Sequence, residues 1–158
     1  MKKANIGISD QNRQTIAEKL SKILADEFVL YSKTLNAHWN IEGTDFHAAH
    51  LYLETLYNQQ QEIVDAVAEK IRAIGHYAPA QLAKYLELTQ LSEEAPKKND
   101  SQTFFAVLLE DHESIIVLIR ENIKPIADKL KAEGISDYLT GLMEYHEKTA
   151  WMLRSHLS

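Results

Sequence analysis

Four side chains in the stretch "NAHWNIEGTDFHAAHLYLETLYNQQQEIVDAVAEKIRAIG", Asn36 to Gly75, are of types that bind metal ions. His38 and His50 offer imidazole nitrogens, and Asp65 and Glu69 offer carboxylate oxygens. Two histidines with two acids suit a redox-active ion such as Fe(II), and would also suit Zn(II) or Mn(II). The chain has no cysteine, so thiolate sites and disulfides are excluded and histidine and carboxylate are its only strong ligands. Each pair also has a plainer reading. A single histidine on an apolar face is satisfied by one hydrogen bond. Two acids four residues apart can share a solvated helix face, with Lys70 and Arg72 to offset their charge. Two features weigh against that plainer reading of the acids. Carboxylates at i, i+4 repel each other unless a cation sits between them. In addition, Asp65 adjoins the apolar Val64, and Glu69 lies only about 40° further round the helix.

The elements that must position these residues read as helices. The first long segment, Asp10 to His38, carries Ile16, Leu20, Ile23, Leu24, Phe28, Tyr31 and Leu35 at three- and four-residue intervals, a stripe that faces a core. "NIEGTD" breaks it, with Gly43 as turn residue and Thr44 or Asp45 as N-cap. The second segment, Asp45 to Ile74, carries Phe46, Leu53, Tyr57, Val64, Val67, Ile71 and Ile74, and Gly75 follows as a C′ glycine. Pro79 suits the first turn of a short helix in "HYAPAQLAKYLELTQL", and "SEEAPKKND" is a polar loop. A third long helix starts near Asp100 or Ser101, with Phe104, Leu108, Ile115, Leu118 and Ile119 inward and a kink or early end at Pro125. A fourth follows "AEGISD", with Tyr138, Leu142, Tyr145, Trp151, Met152 and Leu157 on its stripe. Four long amphipathic helices and a short one imply an all-α four-helix bundle. The connection from Gly75 to about Asn99 is long enough to cross that bundle from end to end.

On this layout the four candidate ligands cannot meet within one chain. His50 and Asp65 stand fifteen residues apart on one helix, which is about 22 Å at 1.5 Å per residue. His38 lies across the short turn and belongs with His50. Either the two pairs are unrelated, or a second copy running antiparallel brings its carboxylates to these histidines, as a two-fold interface would. A site inside one bundle, built on Glu-x-x-His pairs, is disfavoured because none of the seven histidines has a glutamate three residues before it.

Composition sets the remaining bounds. At 158 residues and 45% hydrophobic content the chain, residues 1–158, is expected to form a single domain with a real core, after a short N-terminal tail of residues 1–9. The formal charge of −6 makes its surface repel nucleic acid and anionic membranes. "MKKANIGISDQN" is too polar for a secretory signal and no run of about eighteen apolar residues occurs, so a soluble cytoplasmic protein is expected.

The motif "HWNIEGTDFHAAH", with Asp fifteen residues after its last histidine and Glu four further on, resembles the signature of the Dps family, the mini-ferritins of starved bacterial cells. The similarity extends over the helical layout of essentially the whole chain, short extra helix included. It implies a ferritin-like bundle that assembles as a hollow dodecamer in the bacterial cytoplasm or nucleoid, with a two-iron ferroxidase centre at each two-fold interface and no organic cofactor. The implied activity is oxidation of Fe(II), with hydrogen peroxide in preference to dioxygen, and storage of a ferric mineral, which protects DNA. By the same resemblance His38, His50, Asp65 and Glu69 are the iron ligands. Glu54, where many relatives have Asp, becomes a weaker ligand or an outer partner. Trp39 becomes an electron donor to reactive oxidants, its other reading being interface packing. Glu133 and Asp137 line a pore on the three-fold axis, their other reading being acids that favour a helix N-terminus.

Many relatives bind DNA through a lysine-rich tail. Here the tail offers only Lys2 and Lys3, and the chain ends at "RSHLS". Phosphate binding needs clustered cations, so the composition argues against direct DNA binding. The alternatives are a non-enzymatic nucleoid protein that packs DNA and a purely structural shell.

Overall fold

The computed structural model describes residues 4–158, in the element order α1 (Asp10–Asn40), α2 (Phe46–Ala73), α3 (Leu82–Leu88), α4 (Ser101–Asp128) and α5 (Glu133–His156). All of the regular elements among the described residues are helical. Ser9 caps α1 by accepting from the Asn12 N–H, and Asp100 caps α4 by accepting from the Thr103 N–H at 2.8 Å. Asp45 stands at the N-cap of α2 but its side chain makes no capping bond. The end of α2 is a Schellman turn: His76 N–H reaches the Ile71 carbonyl and Gly75 N–H the Arg72 carbonyl. Gly75 has φ +92°, the left-handed region, and a Cβ there would meet the Ala4 Cβ at 3.1 Å.

Several boundaries differ from the sequence reading for local reasons. Helix α1 runs two residues past His38. The short helix begins at Leu82, so Pro79 lies ahead of its first turn and instead accepts a hydrogen bond from the Tyr85 hydroxyl. Helix α4 continues a further turn beyond Pro125, whose carbonyl takes both the Lys129 and Leu130 N–H groups. A proline so close to the C-terminus disturbs few intrahelical bonds. Helix α5 starts at Glu133, inside the stretch read as a loop.

Helix α1 packs against α2, α3 and α4, and α4 packs against α5. The core between them is aliphatic: Ile16, Leu20, Ile23 and Leu24 from α1, Leu53 and Ile71 from α2, Leu108, Ile115 and Ile119 from α4, and Leu139 and Leu153 from α5. Two residues assigned to inward stripes are exposed instead: Phe46 is 43% and Trp151 61% exposed.

The Glu42 N–H bonds the Asn99 carbonyl at 2.7 Å, so the chain has returned by Asn99 to the end where α2 began. Helices α2 and α4 therefore run parallel, and the connection between them does cross the bundle end to end. It is pinned to α1 along the way. Tyr85 stacks on Phe28 at 4.6 Å between ring centroids. Asp26, 1% exposed, accepts from the Thr89 hydroxyl at 2.6 Å and the Gln90 N–H at 2.9 Å. Burial pushes the Asp26 carboxyl above its ordinary range against the pull of these bonds. Lys33 ties the Ser92 carbonyl to the Asp111 carboxylate.

Removing the Asp26 carboxylate leaves two donors of the crossing segment without a partner. Asp26→Ala is expected to lower stability by about 1–3 kcal/mol, read as a shift in the urea midpoint, and to speed proteolysis selectively after Thr89.

Candidate metal centre

The turn between α1 and α2 brings His38 and His50 face to face. Their rings stack at 3.8 Å between centroids with 19° between planes. Each ring also reaches across to the other's backbone: His38 Nδ1 lies 3.1 Å from the His50 carbonyl oxygen, and His50 Nδ1 lies 2.9 Å from the His38 carbonyl oxygen. A carbonyl only accepts, so both Nδ1 atoms must carry hydrogen and donate. In the neutral rings this leaves Nε2 as a bare lone pair on each imidazole, the form that binds a metal. The pair is held further by Tyr57, edge-on to His38 at 5.0 Å, and by Phe46, 5.1 Å from His50. His38 is 8% exposed and His50 half-buried, so the rings sit at a surface rather than in the core.

Asp65 and Glu69 occupy the same helix as His50, about four turns on, and both are exposed. Among the described residues no three histidine or acidic side chains converge as a metal site. Within one chain the structure joins the two histidines to each other and keeps the two carboxylates apart from them. Glu54, one turn beyond His50, is half-buried on α2.

Around the histidines the surface is apolar and open. Trp39 is 70%, Phe46 43% and Leu51 46% exposed. Trp39 also borders a cavity of about 520 Å³ between α1, α3 and α4, whose walls include Phe28, Leu82, Leu86 and Val107. Glu133 and Asp137 are exposed on the first turns of α5. That end of α5 lies by the end of α2, where the Lys70 ammonium sits 5.0 Å from the Tyr138 ring centroid.

A second polar cluster, in the bundle interior, escaped the sequence reading. Glu27, His112 and His146 are all 0% exposed and joined by hydrogen bonds across α1, α4 and α5. The signal was present: His112 falls between Leu108 and Ile115, and His146 four residues after Leu142, so each occupies a core-facing register. Testing histidines only for a glutamate three residues earlier passes over this register.

The comparisons with known proteins agree with this architecture. Residues 17–158 match the model of the ferritin-like domain. The chain is 37% identical over 99% of its length to an uncharacterised low temperature-induced protein of Nostoc sp., covering 88% of that protein. It is 35% identical over 93% of its length to DNA protection during starvation protein 2 of Bacillus anthracis, covering 99% of it. Among solved structures it superposes on the Dps protein of Vibrio cholerae O1, described as a member of a broad superfamily of ferritin-like diiron-carboxylate proteins. The TM-score is 0.93 and the identity 26%, over 100% of this chain and 98% of the other. A Dps protein from Bacillus brevis matches with a TM-score of 0.88 and 28% identity, over 96% and 100% of the two chains. A chain with this bundle, this crossing connection and these relatives belongs to the ferritin-like family and, within it, to the Dps proteins.

Proposed function

We propose that this protein is a ferroxidase that oxidises Fe(II), with hydrogen peroxide as its preferred oxidant, and stores the ferric product inside a hollow homododecamer. The observation that carries the reading is the half-site. Two imidazoles are locked with both Nδ1 atoms engaged and Nε2 left as the free lone pair, and two exposed carboxylates stand about 22 Å away on the same rigid helix. A two-fold partner running antiparallel brings Asp65 and Glu69 of one chain to His38 and His50 of the other, and the symmetry repeats the site twice. The open apolar face around Trp39 gives that partner a surface to bury. The donor set fits Fe(II), the substrate ion: neutral imidazole binds the ferrous state, and hard carboxylates favour the ferric product as it forms.

In the reaction each of two ferrous ions gives up one electron. Peroxide takes both electrons with two protons and leaves as two waters, so no hydroxyl radical escapes. The chain's part is to hold two ions side by side with positions open to the oxidant. Glu54 serves as a weaker ligand or an outer partner to His50. Trp39, beside His38, is the electron donor candidate for stray oxidising equivalents. Glu133 and Asp137 form the acidic lining through which ferrous ions pass, at three-fold contacts between chains. Removing iron and peroxide protects DNA without contact, in a protein of the bacterial cytoplasm. With a net charge of −6 per chain a direct grip on DNA is disfavoured. Lys2 and Lys3, the cations that a nucleoid-packing role would use, lie outside the described residues. Among the described residues no helix is long and apolar enough to cross a membrane.

Anaerobic Fe(II) oxidation by added peroxide, followed optically, tests the site. Asp65→Ala is expected to reduce the rate to that of buffer. A chain carrying His38→Ala and His50→Ala, and another carrying Asp65→Ala and Glu69→Ala, should each be inactive alone. Refolded together at equal amounts, they should regain about a quarter of wild-type activity, because half of the random two-fold pairs then hold one intact site of two. No recovery from properly assembled mixtures would remove the shared site.

The pore assignment has its own test. Glu133→Gln with Asp137→Asn should slow iron uptake several-fold and flatten its dependence on ionic strength, while leaving shell assembly unchanged.

A further inference from the structure

The bundle carries a layer of polar side chains across its middle that the ferroxidase reading does not use. The His38–His50 contact sets the register of the antiparallel α1 and α2. Eleven residues back along α1 from His38 and ten forward along α2 from His50 bring Glu27 level with Gln60. From the other pair of helices come His112 and His146. All four residues are 0% exposed. The His146 Nε2 lies 2.8 Å from Glu27 Oε1, and the Nδ1 atoms of His112 and His146 lie 2.8 Å apart. Beyond these two contacts the layer lacks hydrogen-bond partners among the described residues. Glu27 Oε2, His112 Nε2 and both polar atoms of Gln60 make no hydrogen bond, nor do the Tyr52 and Tyr145 hydroxyls nearby.

The Nδ1–Nδ1 contact sets a limit on protonation by its geometry. Two nitrogens at hydrogen-bond distance can share one hydrogen but cannot each carry one. The network therefore accommodates two neutral imidazoles, or one neutral and one cationic, and no more. We propose that Glu27, His146 and His112 form an acid-released latch. It ties α4, through α5, to α1 at neutral pH, and its α4–α5 contact breaks when acid gives each imidazole its own Nδ1 hydrogen.

The surroundings offer a second imidazolium no compensation. Glu27 is the one carboxylate in hydrogen bond with the network. Asp26, its neighbour on α1, is committed to Thr89 and Gln90, and Asp111 on α4 is paired with Lys33. From α2 come the neutral Gln60 and Tyr52. From α5 come Tyr145 and Tyr138, whose phenols burial and the Glu27 charge push up, Tyr138 to about 12. Burial, helped by the charge of His146, holds the His112 imidazole well below the ordinary histidine value of 6.5. In the unfolded chain His112 returns to that ordinary value. Its contribution to stability is thus complete above 6.5 and is lost as pH falls below it toward the folded value.

Urea unfolding of the assembled protein between about pH 7.5 and 5, comparing wild type with His112→Gln, reads the latch. The unfolding equilibrium of wild type should rise by up to about tenfold per pH unit more than that of the variant below the histidine range, the weight of one proton per chain. The comparison cancels the exposed histidines and the His38–His50 pair, which both proteins share. Equal pH slopes would overturn the proposal. Should His112→Gln fail to fold, nitrogen-15 spectra of histidine-labelled wild type decide instead. At most one of His112 and His146 is expected to be protonated until the amides of α4 and α5 lose protection. A cation on both rings in a bundle whose amides remain protected would overturn the latch.

Discussion

The rigidity of α2 governs where this chain can place His50 and Asp65. A helix that is unbroken from Phe46 to Ala73 holds His50 and Asp65 at a fixed separation and will not fold back to join them. The chain therefore presents its four candidate ligands as two separate surface groups, and only another molecule can bring them together. The placement of the rest is consistent with this. The histidines sit at a surface edge, the acids are solvated, and the apolar residues beside the histidines are left uncovered. A single chain with Trp39 so exposed leaves apolar surface for another molecule to cover.

The histidine pair takes its hydrogen bonds from the backbone. Each ring donates to the carbonyl of the other residue, so the α1–α2 turn fixes both the orientation and the tautomer. In metal-binding histidines outer partners ordinarily perform this task from elsewhere in a fold. Here each histidine orients the other. A shift of the turn that disturbed one ring would disturb both, which makes Gly43, at φ +129°, as much a part of the site as the residues on either side of it.

The crossing connection decides the handedness of use of the four helices. By running α2 and α4 parallel, it puts the start of α4 beside the α1–α2 turn and the end of α4 beside the start of α1. Helix α1 thereby becomes the spine to which every other segment is tied. Its polar attachments differ in kind. Asp26 and Lys33 hold the connection on one side with charge-assisted bonds, while Glu27, the next residue after Asp26, points into the interior and holds the α4–α5 pair through His146.

The sequence by itself determined the helices, because apolar residues at three- and four-residue spacing have only one way to be buried. It determined the Gly75 stop and the start of α4 near Asp100, because these depend on bonds within a few residues. It also determined that His38 and His50 belong together and apart from Asp65 and Glu69, because helix rise is a constant of the backbone. What only the tertiary structure decided is everything that requires two elements at once. The exchange of Nδ1–H bonds between the histidines needs the actual angle of the turn. The exposure of Trp151 and Phe46 needs the rotation of each helix against its neighbours, which an apolar pattern fixes only to within a residue. The Glu27–His146–His112 network joins residues more than a hundred positions apart along the chain. A buried polar group looks like any other polar residue until its neighbours in space are known, and those neighbours come from packing rather than from spacing.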